Sequence, residues 1–184
     1  METTQPALEK RLLVVEDNES IRDLFSRYLA KKGYAVQSAV HGNEALEYLQ
    51  KTEAEKRPKI ILMDNDVETA QMTARGIGLA ALEKIKQLYN HDISVILMSA
   101  RTFMPDDSTL LEEAAKSKGA YAFLQKPLSL GALIETIDRC YQETISRQNS
   151  QQPQRSPASS NYSALLAEPA TIKLLPLPSE PAVQ

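Results

Sequence analysis

The chain has 184 residues, enough for one ordinary domain and an extension, and its net charge is −3 from 21 basic and 24 acidic residues. No basic patch favours a nucleic-acid surface, and no apolar run approaches the roughly 18 residues of a membrane span. The single cysteine, Cys140, excludes an internal disulfide, and the polar N-terminus lacks the regions of a signal peptide. We therefore expect a cytoplasmic protein with no nucleic-acid partner and no membrane insertion.

Short apolar runs alternate with amphipathic stretches through most of the chain. The runs predict five strands, at residues 12–15, 34–38, 59–63, 93–98 and 121–124. Apolar residues at helical spacing predict five helices, at residues 20–32, 42–52, 79–88, 110–118 and 130–141. Such alternation requires right-handed crossovers and gives a parallel sheet that helices cover on both faces. The sequence thus predicts an α/β protein, a flavodoxin-like doubly wound five-stranded parallel sheet of order 2-1-3-4-5 with five helices.

The composition divides the chain into three parts. Residues 1–10 form an N-terminal extension, and residues 11–146 form the predicted domain. Residues 147–184 are rich in glutamine, serine and proline and show no period. Because such a segment cannot bury enough apolar surface to offset its chain entropy, we expect a disordered tail that folding does not need. Either a solvated extension or a partner-binding motif would fit this tail.

Polar side chains follow four of the five predicted strands. Glu16 and Asp17 follow the first strand, Asp64 the third, Ser99 the fourth and Lys126 the fifth. The carboxyl ends of parallel strands border one crevice, so these groups are expected to meet. Three clustered carboxylates repel one another unless protons or a cation neutralise them. An oxygen-only site of this kind suits Mg²⁺.

The same set of groups favours phosphoryl transfer. Asp64 is a candidate nucleophile, the Ser99 hydroxyl can donate to one phosphoryl oxygen, and the Lys126 ammonium can pair with another. Catalysis of this reaction consists mostly of positioning and charge neutralisation, which these groups supply. Taken singly, each has a plain structural explanation as a helix cap, a loop hydroxyl or a solvated lysine. Their occurrence together at successive strand ends favours the functional interpretation.

The chain from residue 11 to about 144 resembles the receiver domain of bacterial response regulators. The motifs that carry the resemblance are Leu13-Val-Val-Glu-Asp-Asn18, Ile60-Ile-Leu-Met-Asp64, Val95-Ile-Leu-Met-Ser-Ala100 and Lys118-Gly-Ala-Tyr-Ala-Phe-Leu-Gln-Lys-Pro127. The resemblance implies that Asp64 accepts a phosphoryl group from a sensor histidine kinase or a phosphotransfer protein. It also implies an Mg²⁺ cofactor and roles for the other matching residues. The metal would be held by Glu16, Asp17, Asp64 and the backbone carbonyl of Asp66, while Ser99 and Phe123 would be switch residues and Lys126 would pair with the phosphate.

The chain departs from the receiver pattern just after Asp64. Receivers usually have a Met-Pro pair at the third and fourth positions after the acceptor, where this chain has Val67 and Glu68. The glycine that normally lies eight residues after the acceptor has its counterpart in Gly78, fourteen residues on. We therefore expect residues 65–77 to form a loop six residues longer than usual, beside the phosphorylation site.

Two further expectations concern Asp66 and Pro127. Asp66 lies two residues past the acceptor and Arg101 lies two residues past Ser99, so we expect these opposite charges to pair. The Asp66 side chain would then tune dephosphorylation and would not be an essential acid or base. Pro127 is expected to begin the last helix, because proline favours the first helical turn.

The sequence also bears on how the protein would pass on a signal and on two alternative functions. No output domain is recognisable after residue 144, so we expect signalling through contact with a downstream protein target. A degenerate receiver would carry no phosphate and act only as a binding module. Asp64-Asn-Asp66-Val67 also resembles the signature of haloacid dehalogenase-type phosphatases, although that family places its acidic metal pair after the signature and here Glu16 and Asp17 precede it.

Overall fold

The computed structural model of the chain describes residues 9–69, 72–74, 77–89, 92–100 and 105–151. In chain order the elements are β1 (Lys10–Val15), α1 (Glu19–Lys31), β2 (Tyr34–Ala39), α2 (Gly42–Lys51), a 3-10 turn (Ala54–Lys56), β3 (Ile60–Asp64), β4 (Val67–Thr69), β5 (Met72–Ala74), α3 (Ile77–Tyr89), β6 (Ser94–Ser99), α4 (Pro105–Ser117), β7 (Ala122–Gln125) and α5 (Leu130–Gln151). None of the described helices is both long and apolar enough to cross a lipid bilayer.

Five strands form one parallel sheet in the order β2-β1-β3-β6-β7. These are the five strands predicted from the sequence, so the predicted order 2-1-3-4-5 and the flavodoxin-like fold class are confirmed. Because neighbouring strands run parallel, the last residues of β1, β3 and β6 lie at one edge of the sheet. Asp64 ends β3 and Ser99 ends β6, while Lys126 directly follows β7.

Each face of the sheet is buried by helices, as near-continuous apolar strands require. Alternate residues of a strand point to opposite faces, so Leu13 and Leu12 belong to different core clusters. The Leu13 cluster includes side chains from the α2, α3 and α4 stretches, and the Leu12 cluster includes side chains from α1 and α5. Cys140 is fully buried in the second cluster, and burial raises the pKa of its thiol to about 11. The cysteine is therefore part of the packed core, and its thiol is protonated at neutral pH.

Some residues of the predicted apolar stripes lie on the surface instead. Leu24 of α1, Leu88 of α3 and Leu110 of α4 are 53%, 49% and 62% exposed. A helix on one face of a sheet buries only the part of its circumference that faces the sheet, so a leucine at the margin of a stripe remains in solvent.

The segment after Asp64 contains more structure than the loop we predicted. Residues 67–69 and 72–74 pair as the antiparallel strands β4 and β5, with Val67 opposite Ala74 and Thr69 opposite Met72. The six residues of extra length are therefore accommodated in a small hairpin shortly after Asp64, and α3 begins only three residues after the hairpin ends.

The last helix begins with the predicted apolar stripe and not at Pro127, and it ends later than predicted. Lys126 and Pro127 are joined by a cis peptide bond. Helix α5 starts at Leu130, where Ser129 Oγ accepts from the Ala132 N–H at 3.0 Å. At its other end α5 continues to Gln151, five residues beyond the predicted domain boundary at 146.

The additional turn of α5 is attached to the domain through polar contacts. Arg147 Nη2 donates to the buried Ser94 Oγ at 3.2 Å, and Gln148 Nε2 donates to the Asp92 carbonyl at 2.9 Å. Ser94 Oγ also lies 2.7 Å from the buried Thr144 Oγ1. The helix therefore continues past the domain boundary predicted at 146. The remainder of the predicted tail, residues 152–184, and residues 1–8 of the predicted extension lie outside the described residues.

Two truncations should separate this helical end from the rest of the tail. A chain ending at Gln151 is expected to keep the unfolding temperature and phosphoryl uptake of the full chain. A chain ending at Ser146 loses the donors of Arg147 and Gln148 and should lose about 1–2 kcal/mol of stability, since each net hydrogen bond contributes about 1 kcal/mol. Urea unfolding curves measure the difference. Equal stability of the two truncated chains would contradict the anchoring contacts.

Candidate functional site

Three acidic side chains meet at the carboxyl edge of the sheet. Glu16 and Asp17 follow β1, which pairs with β3, and Asp64 is the last residue of β3. One carboxylate oxygen from each lies within 4.8 Å of the others. Glu16 and Asp64 are buried, at 2% and 8% exposure, and Asp17 is partly exposed. This set of hard oxygen ligands, with one acid open to solvent, fits a divalent cation such as Mg²⁺.

Lys126 bridges two of these acids. Its Nζ lies 2.7 Å from Glu16 Oε2 and 2.9 Å from Asp64 Oδ2, and its side chain is only 15% exposed. If all four groups are ionised, three carboxylates and one ammonium leave a formal charge of −2, which a divalent cation would balance. The pairs are close because Lys126 follows the edge strand β7 and reaches across the end of β6 toward β3.

Burial dominates the protonation behaviour of the cluster. Desolvation raises the pKa of Glu16 to about 7, although the hydrogen bond from Lys126 opposes the rise. Desolvation likewise raises the pKa of Asp64, again opposed by Lys126. Burial alone would lower the pKa of Lys126, but its hydrogen bonds to Glu16 and Asp64 outweigh that effect and raise it. Metal binding to such a site must compete with protons.

We expect the metal-free protein to lose stability as pH rises from about 5 to about 7. The pKa of Glu16 is higher in the folded protein than its ordinary 4.5. The folded state therefore binds more protons than the unfolded state in this range, and deprotonation through pH 7 removes the stabilisation. Glu16→Gln has no such proton to lose, so its profile should be flatter, though not flat, because Asp64 still titrates. Urea unfolding in EDTA at several pH values measures this, and parallel profiles for the two proteins would contradict it.

The Ser99 hydroxyl binds a carboxylate in this structure. Ser99 is fully buried, and its Oγ donates to Asp66 Oδ2 at 2.7 Å. The Asp66 backbone N–H donates to Asp64 Oδ1 at 3.3 Å, so Asp66 contacts both residues. Arg101, the expected partner of Asp66, lies outside the described residues. In this structure the Asp66 carboxylate thus holds the hydroxyl that sequence analysis assigned to a phosphoryl oxygen.

Phe123 lies on β7, three residues before Lys126, and its side chain is half-buried. It packs against the core cluster that contains Leu13, Leu97 and Ala115. Its surroundings are compatible both with the predicted switch role and with an ordinary core phenylalanine.

Sequence analysis assigned no site role to Asn18, Arg22 and Asn65. Asn18 caps α1, its Oδ1 accepting from the Ile21 N–H at 3.1 Å, and an asparagine directly before a helical stripe is a signal that could have predicted this. Arg22 Nη1 donates to the backbone carbonyls of Glu16 and Asp17, which no local pattern indicates. Asn65 is 3% exposed, and its Oδ1 has no hydrogen-bond partner within the part of the chain that the structure describes.

Gly78, at the start of α3, contacts the backbone of Asp64 and Asn65. Its N–H donates to the Asn65 carbonyl at 3.3 Å. A Cβ atom at this position would lie 2.6 Å from Asn65 Cα and 2.7 Å from the Asp64 carbonyl oxygen. This close approach explains in physical terms why a glycine stands here despite the longer segment before it.

Comparison with known proteins agrees with this geometry. The family described as "Response regulator receiver domain" matches residues 12–138. The polar-differentiation response regulator DivK of Brucella anthropi is 31% identical over 134 residues, which are 71% of this chain and 94% of DivK. The DNA-binding transcriptional regulator NtrC of Klebsiella pneumoniae is 29% identical over 155 residues, which are 84% of this chain but 29% of NtrC.

The fold of the chain also resembles solved structures of receiver domains. The crystal structure of a CheY-like receiver domain protein from Methanospirillum hungatei JF-1 matches with a TM-score of 0.61 at 23% identity, covering 76% of this chain and 98% of that one. At this identity the likeness concerns the fold alone. The family match spans more than half of the chain, and the chain covers nearly all of DivK. The chain therefore belongs to the response regulator receiver domain family.

Proposed function

We propose that this chain is a response regulator in which Asp64 accepts a phosphoryl group from a sensor histidine kinase or a phosphotransfer protein. The observation that carries the proposal is the position of Asp64: its carboxylate lies in one cluster with Glu16 and Asp17 and is hydrogen-bonded to Lys126. A carboxylate oxygen of Asp64 would form a bond to phosphorus as the bond from phosphorus to the donor nitrogen breaks. The donor leaves as the neutral histidine after taking up a proton.

Glu16, Asp17, Asp64 and the backbone carbonyl of Asp66 would hold Mg²⁺. Bound there, the ion would neutralise negative charge that develops on the phosphoryl oxygens. In the unphosphorylated chain, Lys126 Nζ donates hydrogen bonds to Glu16 and Asp64. When Asp64 becomes an acyl phosphate, we propose that Lys126 exchanges the Asp64 oxygen for a phosphoryl oxygen and so stabilises the product.

Ser99 and Phe123 would carry the signal away from the site. We propose that Ser99 leaves Asp66 and donates to a phosphoryl oxygen, and that Phe123, on the strand next to β6, moves with it. Output would be a contact with a downstream protein, made by the face of α4, β7 and α5 or by the C-terminal segment. The acidic net charge of −3 supports a protein target over nucleic acid.

The direct test treats the purified chain with acetyl phosphate and Mg²⁺ and measures intact mass. We expect one phosphoryl group per chain, stable in acid and labile in base, and none when EDTA removes the metal. A degenerate receiver would take up none under either condition. A phosphatase would turn over p-nitrophenyl phosphate many times per site, which we do not expect.

Asp66→Ala is expected to accept the phosphoryl group and to change the lifetime of the phosphorylated chain by about tenfold or more. The variant removes the carboxylate that holds the Ser99 hydroxyl, and a hydrogen bond to a charged group contributes about 1.5–3 kcal/mol. The half-life of the phosphorylated chain measures the effect. If Asp66 acts through Ser99, the same change made in Ser99→Ala should have little further effect, as a double-mutant cycle would show. Loss of phosphoryl uptake in Asp66→Ala would instead favour an acid or base role.

A further inference from the structure

An arginine from the first turn of α1 contacts the loop that carries two of the clustered acids. Arg22 Nη1 donates to the Glu16 carbonyl at 2.8 Å and to the Asp17 carbonyl at 3.2 Å. The Arg22 backbone N–H donates to the Asn18 carbonyl at 2.9 Å. One residue therefore binds all three carbonyl oxygens of the loop between β1 and α1.

Two backbone N–H groups of the same loop also donate hydrogen bonds. The Glu16 N–H donates to the Ala39 carbonyl of β2 at 3.2 Å, and the Asn18 N–H donates to Glu16 Oε1 at 3.3 Å. The carbonyls of Glu16 and Asp17 precede the N-cap residue, so helical N–H groups do not reach them. Both hydrogen bonds come from Nη1, whose N–H groups lie in the rigid plane of the guanidinium and so hold the two neighbouring carbonyls in a defined relation.

The positive charge of Arg22 disfavours a cation nearby, so any benefit of Arg22 to a metal site must come from its hydrogen bonds to the loop. A guanidinium beside clustered carboxylates repels an incoming divalent cation. The same carboxylates repel one another when they ionise, and two of the three belong to this one loop. A loop held only by side-chain contacts would relax under that repulsion, whereas one fixed through its backbone would not.

We infer that Arg22 is a positioning residue of the metal site, which fixes the backbone of Glu16 and Asp17 so that their carboxylates converge with Asp64. The inference rests on the proposed Mg²⁺ site. Arg22 itself touches neither the phosphoryl group nor the acceptor in this scheme. Its contribution is to hold the ligands in a binding arrangement before the metal arrives.

Mg²⁺ binding by Arg22→Met and Arg22→Lys tests the inference, because charge and geometry predict opposite results. If Arg22 positions the ligands, both variants should bind Mg²⁺ about tenfold more weakly, the usual scale for groups that support metal ligands. If Arg22 acts only as a nearby charge, Arg22→Met should bind Mg²⁺ more tightly and Arg22→Lys should bind as the unmodified chain does. Isothermal titration calorimetry on the full chain measures the dissociation constants.

Arg27→Met is the matched control. Arg27 lies on the same helix but is 80% exposed and pairs only at the surface, with Asp23 at 3.3 Å. Its Mg²⁺ affinity should stay unchanged. All titrations are made well below the lowest unfolding temperature of the metal-free proteins, and if Arg22→Met does not fold, Arg22→Lys decides between the two explanations.

A second measurement distinguishes positioning from general damage. At saturating Mg²⁺ the rate of uptake from acetyl phosphate should return close to that of the unmodified chain in both Arg22 variants, while the Mg²⁺ concentration for half-maximal rate rises. A low rate that Mg²⁺ does not restore, or affinity equal to or tighter than that of the unmodified chain, would overturn the inference. Failure of the unmodified chain to bind Mg²⁺ would instead overturn the proposed metal site.

Discussion

Asp64→Asn is expected to take up no phosphoryl group from acetyl phosphate. The amide is nearly the same size as the carboxylate but is a poor nucleophile and cannot form an acyl phosphate, so the loss should exceed about 10²-fold. The variant should still fold, because the Asn amide keeps the shape of the side chain and one oxygen, which can accept from either the Asp66 N–H or Lys126 Nζ. It should even be more stable than the unmodified chain in EDTA above pH 7, since burial makes the ionised Asp64 unfavourable and raises its pKa.

Asp138→Asn is the matched control for the acceptor. Asp138 lies on α5 and pairs with Lys10 and Tyr34, in the first half of the chain and away from the acidic cluster. Intact mass and acid-gel analysis should show full phosphoryl uptake in this variant. Uptake by Asp64→Asn at the rate of the unmodified chain would refute Asp64 as the acceptor and, with it, the proposed function.

Gly78→Ala is expected to impair both folding stability and phosphoryl uptake. The added Cβ would lie 2.6 Å from Asn65 Cα and 2.7 Å from the Asp64 carbonyl oxygen, and both are backbone atoms that cannot rotate away. Overpacking of this kind costs about 1–3 kcal/mol. Because the segment displaced carries Asp64 and Asp66, we also expect uptake to fall, on the order of 10²-fold for a displacement near 1 Å.

Gly131→Ala is the matched control, because Gly131 also lies in a helix but, among the described residues, has no backbone atom of another segment close to an added Cβ. At Gly131 the nearest heavy atom to an added Cβ is Ser129 Oγ at 3.9 Å, an ordinary contact. Alanine is the better helix former, so this variant should gain up to about 1 kcal/mol and keep normal uptake. Urea unfolding and initial rates of uptake measure both variants. A Gly78→Ala protein that matches Gly131→Ala in both would show that the loop has room to move.

The fold and the location of the site follow from short-range patterns in the sequence. Continuous apolar runs and helical stripes predicted the five strands and their helices, because burial on two faces or on one stripe leaves a mark within about ten residues. Because strands that alternate with helices form a parallel sheet, the residues that follow the strands could be placed at the carboxyl edge of that sheet. Glu16, Asp17, Asp64, Ser99 and Lys126 could be grouped in this way before any side-chain partner was known.

The predictions that went wrong depend on weaker local signals. The β4–β5 hairpin has no Asn-Gly, Asp-Gly or other glycine-containing pair between its strands, so nothing in the segment indicated a turn. The end of α5 was placed too early because Arg147 and Gln148 attach it through polar donors. A polar composition predicts that such residues are exposed to solvent, although here Arg147 and Gln148 donate to a buried hydroxyl and to a backbone carbonyl.

The sequence by itself determined the α/β class, the strand order and which residues stand at the carboxyl edge of the sheet. Only the tertiary structure decided which of them touch. Lys126 binds acids 62 and 110 residues away, Ser99 donates to Asp66, and Gly78 and Arg22 contact the backbone on either side of the cluster. The reason is physical: strand ends are set by local burial, whereas side-chain partners are set by the register of neighbouring strands and by the few hydrogen bonds that buried polar groups must satisfy.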